Sequence, residues 1–218
     1  MATRTVEELI EEVRDNTNNQ NKTRFTDKML IRFFDSASRT IQMLIYNAYP
    51  QDAVFYDCDE IEVTAGKSTY RLPSGMLSPH AIYSIVPLRA DGTKSDPLHR
   101  LSLQEVATEY GYILRGKNFQ LNPLSIINLS SLTSIRVNYA KKWDRLTSID
   151  QVPECPEILE DFLTAFVERK IHYVDSSKDV MNSNIFTQEE KDDMVKLYMD
   201  QARDPKYPPT GSDTYLSY

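Results

Sequence analysis

From Phe25 to Pro50 the chain reads FTDKMLIRFFDSASRTIQMLIYNAYP, and Leu30, Phe33, Phe34, Ala37, Ile41, Leu44, Ile45 and Ala48 recur at steps of three and four. That spacing lines one face of a helix with apolar groups and predicts a long core helix. Thr26 is placed to accept from the free amides of the first turn, and Pro50, which has no N–H, marks where the helix has ended. A shorter helix is predicted from Thr5 to Asp15, where Thr5 and Glu8 have capping-box spacing and Val6, Leu9, Ile10 and Val13 form a narrow stripe. Between the two, NTNNQNKT (16–23) offers nothing to bury and reads as a solvated loop.

After Pro50 the period changes to two. Ile61 and Val63 alternate with Glu60 and Glu62, and Ser68 to Leu72 follows a turn at Ala65-Gly66-Lys67, which predicts a hairpin. A β-prone run, AIYSIVPL, ends at Leu88, and RADGTKSDP (89–97) is turn chemistry with Asp91-Gly92 at its tip. Ser102 to Tyr110 reads as a brief capped helix stopped by Gly111. YILRGKNFQL (112–121) predicts a second hairpin about Gly116-Lys117-Asn118, and Leu132 to Trp143 a further strand.

Helical spacing returns after Pro153 and Pro156. Ile158, Leu159, Phe162, Leu163, Phe166, Val167, Ile171 and Val174 repeat the pattern of the long helix and make Glu157 to Val174 its expected partner, joined by apolar burial at about 25 cal/mol per Å². A last helix is expected from Thr187 to Ala202, opened by Thr187 and Glu190. The tail DPKYPPTGSDTYLSY (204–218) has no period; its Tyr207, Pro208, Pro209, Tyr215, Leu216 and Tyr218 suit docking on a partner better than solvation. The expected fold class is α+β: a bundle of about four helices, with residues 1–53 and 153–203 enclosing a small antiparallel β domain at 54–152 and an extended tail at 204–218.

Composition narrows the function. With 218 residues the chain can bury a sizeable core. No run approaches the roughly 18 to 20 apolar residues of a membrane span. The acidic first 20 residues do not resemble a secretory signal, so intracellular synthesis is expected. A net charge of -7 and pI near 5.1 disfavour diffuse attraction to nucleic acid. Cys58 and Cys155 are expected as free thiols.

Candidate chemistry adds little. Gly66-Lys67-Ser68-Thr69 imitates the end of a phosphate-binding loop, but Ile61 stands where that loop needs its first glycine, and a strand, not a helix, is expected to follow. His80, His99 and His172 lack metal-ligand spacing. Asp57, Asp59, Glu60 and Glu62 lack the glycine and spacing of a calcium loop and read as a solvated strand face. Asp52 and Asp57 have no nucleophile or second base at a recognised spacing. No catalytic residue, cofactor or metal site is expected. Basic residues gather at Lys141, Lys142 and Arg145 beside Trp143, and at Lys22, Arg24, Lys28, Arg32 and Arg39, where pairing with the Glu-rich helices is the economical account.

The order of these elements resembles the tailed-bacteriophage head-to-tail connector family of adaptor, head-completion and neck-ring proteins. The likeness lies in LIRFFDSASRTIQMLIYNAYP, EIEVTAGKSTYRLPSGM, YILRGKNFQLNP with SIRVNYAKKW, and PECPEILEDFLTAFVERKIHYV. The resemblance implies a structural virion protein made in the host cytoplasm. It implies a homo-oligomeric ring, dodecameric in that family, beneath the portal protein, touching other neck or tail proteins and contacting passing genomic DNA without sequence preference, with no membrane. Arg32 and Arg39, with Glu8 and Glu12, are then the candidate subunit contacts. Two other readings are a nucleic-acid or other binding module using the basic residues at Trp143, and a metal-dependent hydrolase using the carboxylates between Asp52 and Glu62.

Overall fold

The computed structural model describes residues 3–18, 24–50, 52–64, 66–89, 91, 93–102, 110–122, 132–175 and 185–203. The chain divides into two compact units, Met1–Tyr49 with Trp143–Tyr218, and Pro50–Lys142.

The first unit is helical. Helix α1 spans Val6–Asn16; Glu8 N–H donates to Thr5 Oγ1 at 3.3 Å and Thr5 N–H to Glu8 Oε2 at 2.7 Å, closing the expected capping box. Helix α2 spans Asp27–Ala48, opened by Met29 N–H on Thr26 Oγ1 at 3.3 Å and closed by Tyr49 N–H on the Ile45 carbonyl at 2.7 Å. Its buried seam is Leu30, Phe34, Ala37, Ile41 and Ile45, each worth about 1.5–3 kcal/mol when large and fully buried. Ala48, at the frayed end of the expected stripe, is exposed, while Ser38 and Gln42 are buried. A single 3₁₀ turn, Glu157–Leu159, leads into α3, Glu160–Asp175, and α4 spans Gln188–Arg203 behind the Thr187–Glu190 capping box. Helices α2 and α3 pack on each other as their stripes predict, with the Lys170 ammonium 4.9 Å from the Phe33 ring centre and 5.5 Å from that of Phe166.

The segment after Trp143 belongs to this unit and ties it together. Trp143 N–H donates to Gln42 Oε1 and Leu146 N–H to Asp35 Oδ1, both at 3.3 Å. The Gln151 and Ile149 carbonyls accept from Val6 N–H at 2.8 Å and Glu7 N–H at 2.9 Å, amides that the first turn of α1 cannot satisfy itself.

The second unit holds two sheets. Strands β1 (Tyr56–Glu62), β7 (Leu132–Ala140) and β3 (Ile82–Arg89) form one antiparallel sheet with β7 central. Strands β2 (Thr69–Arg71), β6 (Asn118–Leu121), β5 (Gly111–Arg115) and β4 (His99–Arg100) form the other, antiparallel except for the short parallel pair β4–β5. The hairpin expected at 60–72 is therefore corrected: β1 pairs with β7 and β2 with β6. The reason is burial. Ile61 lies opposite Ile135, in a strand whose Ile135, Val137 and Tyr139 are all buried, and β2 is too short, at three residues, to match the seven of β1.

The β5–β6 hairpin is present with a tighter turn than expected, since Asn118 already pairs with Arg115. Gly116 has φ +60°, and a positive φ at the first turn position alone is the type II′ pattern that matches strand twist. Gly111, expected to stop a helix, opens β5 instead; a Cβ there would lie 2.2 Å from the His99 carbonyl oxygen. Cross-strand Tyr70 and Phe119 stack at 5.6 Å, and Tyr112 meets Phe119 edge-on at 6.3 Å. Within the 89–97 turn, Asp91 Oδ1 accepts from Thr93 N–H at 2.9 Å and Oγ1 at 2.6 Å. The brief helix expected at 102–110 lies, between its ends, outside the described residues.

Candidate interaction surfaces

Charged side chains in the helical unit are largely engaged within the chain. Arg4 is the hub: its Nε donates to Glu160 Oε2 at 2.6 Å, Nη1 to Glu12 Oε2 at 2.5 Å and Nη2 to Asp161 Oδ1 at 3.5 Å. Glu160 is buried, and Thr3 N–H also reaches its Oε1 at 2.6 Å. Burial opposes ionisation of Glu160, but the hydrogen bonds from Arg4 and from the Thr3 and Arg4 amides outweigh it and hold the carboxyl below its ordinary range. Arg14, also buried, donates from Nη2 to the Phe25 carbonyl at 2.8 Å and to Asp27 Oδ1 at 2.7 Å, fastening α1 to the start of α2. Arg169 grips Glu190 with both terminal guanidinium nitrogens, donates to the Ile185 carbonyl at 3.0 Å and lies 5.6 Å from the Phe186 ring centre. Those hydrogen bonds, with Thr187 N–H added, pull the Glu190 carboxyl down to about 2.

Three of the four residues expected at subunit contacts have partners inside the chain. Glu8 closes the α1 capping box, Glu12 accepts from Arg4, and Arg39 pairs with Asp35 at 3.1 Å one turn earlier on α2. Arg32 is exposed and, among the described residues, makes no ion pair. The tail residues Tyr207, Pro208, Pro209, Tyr215, Leu216 and Tyr218 lie outside the described residues, as does Lys22. Arg4 and Arg14 are the organising cations that sequence pattern alone does not single out; the only local hint is an arginine at the edge of an apolar stripe.

Trp143 is 3% exposed, so its ring is core and offers no stacking platform for a nucleic-acid base, which removes the feature that supported a binding role for Lys141, Lys142 and Arg145. Gly66, with φ +78°, turns into the strand β2, so the phosphate-loop imitation lacks a helix to follow. Asp52 Oδ1 accepts from Val54 N–H at 2.9 Å, and the Tyr139 hydroxyl lies 3.2 Å from Asp59 Oδ2 and 3.4 Å from Asp57 Oδ2. Burial first, and then these two carboxylates, push the Tyr139 phenol above its ordinary value. Arg136 binds Glu60 at 2.6 Å. Among the described residues no three His, Cys, Asp or Glu side chains gather as a metal site, and no helix is long and apolar enough to cross a membrane. His80 shares a contact of 3.2 Å with Arg100, and Cys58 and Cys155 are both free thiols.

A helical unit interrupted by a two-sheet insertion and fastened by arginine–carboxylate pairs defines an α+β scaffold that presents charged surfaces. The sequence pattern of the SU10 adaptor protein family matches residues 4–210, and the chain belongs to that family of phage structural adaptors. Comparison with curated proteins gives no match.

Proposed function

We propose that the chain forms a closed ring, dodecameric, in the head-to-tail connector beneath the portal, joining capsid to tail and lining the DNA channel. The observation that carries this reading is the family match across 4–210, which spans the helical unit and the whole β insertion. In the ring, the helical unit is the frame that carries the inserted β unit, and 204–218 docks on the portal or the next neck component through Tyr207, Pro208, Pro209, Tyr215, Leu216 and Tyr218. Closed cyclic symmetry leaves no open end. Exposed Glu7 and Glu11 on α1 suit a lumen that repels phosphate and lets DNA slide. With Glu8, Glu12 and Arg39 engaged internally, Arg32 is the strongest candidate of that set for a contact between neighbours. Contact with passing DNA that carries no sequence preference is what such a conduit needs, and the reading involves no enzyme activity and no cofactor.

Deleting residues 204–218 tests the reading. The truncated chain keeps the helical signal and melting behaviour of the full chain but is missing from purified particles, which then fail to join heads to tails. Normal particles carrying the truncated chain would overturn the docking role, and imaging that shows no ring of the full chain at the neck would overturn the whole reading.

A further inference from the structure

Backbone hydrogen bonds fix which edges of the two sheets are open. Val63 N–H donates to the Thr133 carbonyl at 2.9 Å and Lys141 N–H to the Phe55 carbonyl at 2.6 Å, so odd-numbered residues of β1 face β7. The amides and carbonyls of Glu60 and Glu62 therefore point away from the sheet, where β1 is the edge. In the other sheet Leu72 N–H donates to the Lys117 carbonyl at 2.9 Å and Leu121 N–H to the Ser68 carbonyl at 2.8 Å. Thr69 and Arg71 thus turn their backbone groups outward from the edge strand β2.

The two edges carry opposite charge. Along β1 stand exposed Asp57, Asp59, Glu60 and Glu62, and Glu60 and Glu62 border a shallow trough of about 560 Å³ with Val63, Leu132, Thr133 and Ser134. Along β2, Thr69 and Arg71 are exposed, with Lys67 just before them. Among the described residues neither Glu62 nor Arg71 has an ion-pair partner. Charge on an edge ordinarily blocks pairing with a like edge, and two copies of β1 would repel. An acidic edge and a basic edge on one chain instead favour a head-to-tail pairing between copies, the kind of contact that builds a ring.

We propose that β1 of one copy pairs antiparallel with β2 of the next, Glu60 opposite Arg71 and Glu62 opposite Thr69, so that a sheet runs across the subunit boundary. The guanidinium of Arg71 then lies between two carboxylates. Cys58 N–H, which the carboxylate Oδ1 of Asp57 already covers at 2.9 Å, marks one end of the pairing, and Pro73, with no N–H to give, marks the same end on the neighbour. This inference rests on the ring reading above and names the contact that closes it.

The test uses full-length chain carried in assembled particles. In a Cys58→Ser background, Glu62→Cys combined with Thr69→Cys places two thiols at directly opposed positions, a spacing that suits a disulfide. Mild oxidation of particles is expected to give a ladder of dimers, trimers and higher species on a denaturing gel, and chains with only one of the two added cysteines none beyond dimer, since the remaining Cys155 is buried. A ring visible at the neck with the double variant still monomeric on the gel would overturn the strand pairing and leave the ring reading intact. A ladder that stops at dimer would also overturn it, as a two-fold contact. Absence of a ring from wild-type particles would overturn the ring reading and this inference with it. Charge reversal gives an independent readout: Arg71→Glu is expected to lower the particle-bound copies roughly tenfold or more, and adding Glu62→Lys to restore much of the loss. Wild-type incorporation of Arg71→Glu, or a double variant no better than the single, would overturn the proposal even where the cysteine chain is not incorporated.

Discussion

Arg4 reaches across 156 residues of sequence to Glu160, its Nε donating to Oε2 at 2.6 Å. The bond ties the segment before α1 to the first residue of α3, and it buries a carboxylate that, among the described residues, this guanidinium and two backbone amides compensate. Removing the cation leaves that charge buried without its main partner. Arg4→Ala is expected to cost about 1.5–3 kcal/mol in chemical denaturation, the range for a hydrogen bond to a charged group, with the partial exposure of Arg4 favouring the lower end.

The same pair sets a pH dependence. The Glu160 carboxyl is held below its ordinary 4.5, so the unfolded chain binds its proton first as pH falls. Its contribution is fully present above 4.5 and is lost as pH drops through the lower folded value. Glu160→Gln should therefore flatten the fall in stability below 4.5 relative to wild type, measured by urea midpoints across that window. Parallel acid profiles for the two chains would show that the pair does not couple to folding.

Two glycines in the β unit predict opposite kinds of damage. At Gly111 a Cβ would meet the His99 carbonyl oxygen at 2.2 Å and Leu101 Cγ at 2.8 Å, so Gly111→Ala has to push β4 from β5 and should cost about 1–3 kcal/mol. At Gly116 nothing lies within 4 Å, and only the φ of +60° resists a side chain. Gly116→Ala should cost roughly 1 kcal/mol, and Gly116→Asn about as much, because the first position of a type II′ turn calls for glycine and is not the left-handed helical conformation that asparagine visits. Thermal melts of the three variants check the order.

The helices were legible because amphipathic spacing and capping boxes are local: Thr5 with Glu8, Thr26, and Thr187 with Glu190 all do what their spacing implies. The β5–β6 hairpin was legible for the same reason. The pairing of β1 was not, since its partner β7 is far along the chain and sets half-buried Ile61 opposite the core residue Ile135, while the nearby turn at Gly66 offered a false local alternative. Likewise Arg4 and Arg14 gain their roles from Glu160 and from the Phe25 carbonyl, neighbours that no periodicity announces. The charges of Glu62 and Arg71 could be read in sequence, but that they sit on two outward edges depends on hydrogen-bond parity, which only the paired sheets reveal.

Glu190 gives a spectroscopic check on the helical unit. Its carboxyl is drawn to about 2 by Arg169 first and Thr187 second. Arg169→Gln should return its titration most of the way to the ordinary 4.5, with the Thr187 amide keeping a remainder, as read by carboxyl-carbon NMR. A Glu190 titration unchanged by the substitution would show that the guanidinium is not its partner in solution.

The helical unit should also close without its insertion. Gln42, which accepts from Trp143 N–H at 3.3 Å, lies two turns before Tyr49, so the end of α2 and the returning chain come within about 10 Å of each other at 1.5 Å of rise per residue. A flexible linker of about four to six residues spans that gap. A chain joining Tyr49 to Trp143 through such a linker keeps the α2–α3 seam, the Arg4–Glu160 bond and the cap that 149–151 gives to α1. It is expected to melt cooperatively with helical circular dichroism, and the Pro50–Lys142 segment alone to show a separate transition. If the linked helical chain is soluble but melts without cooperativity, the β unit supplies stability that the helical core lacks, and the two units are one folding domain.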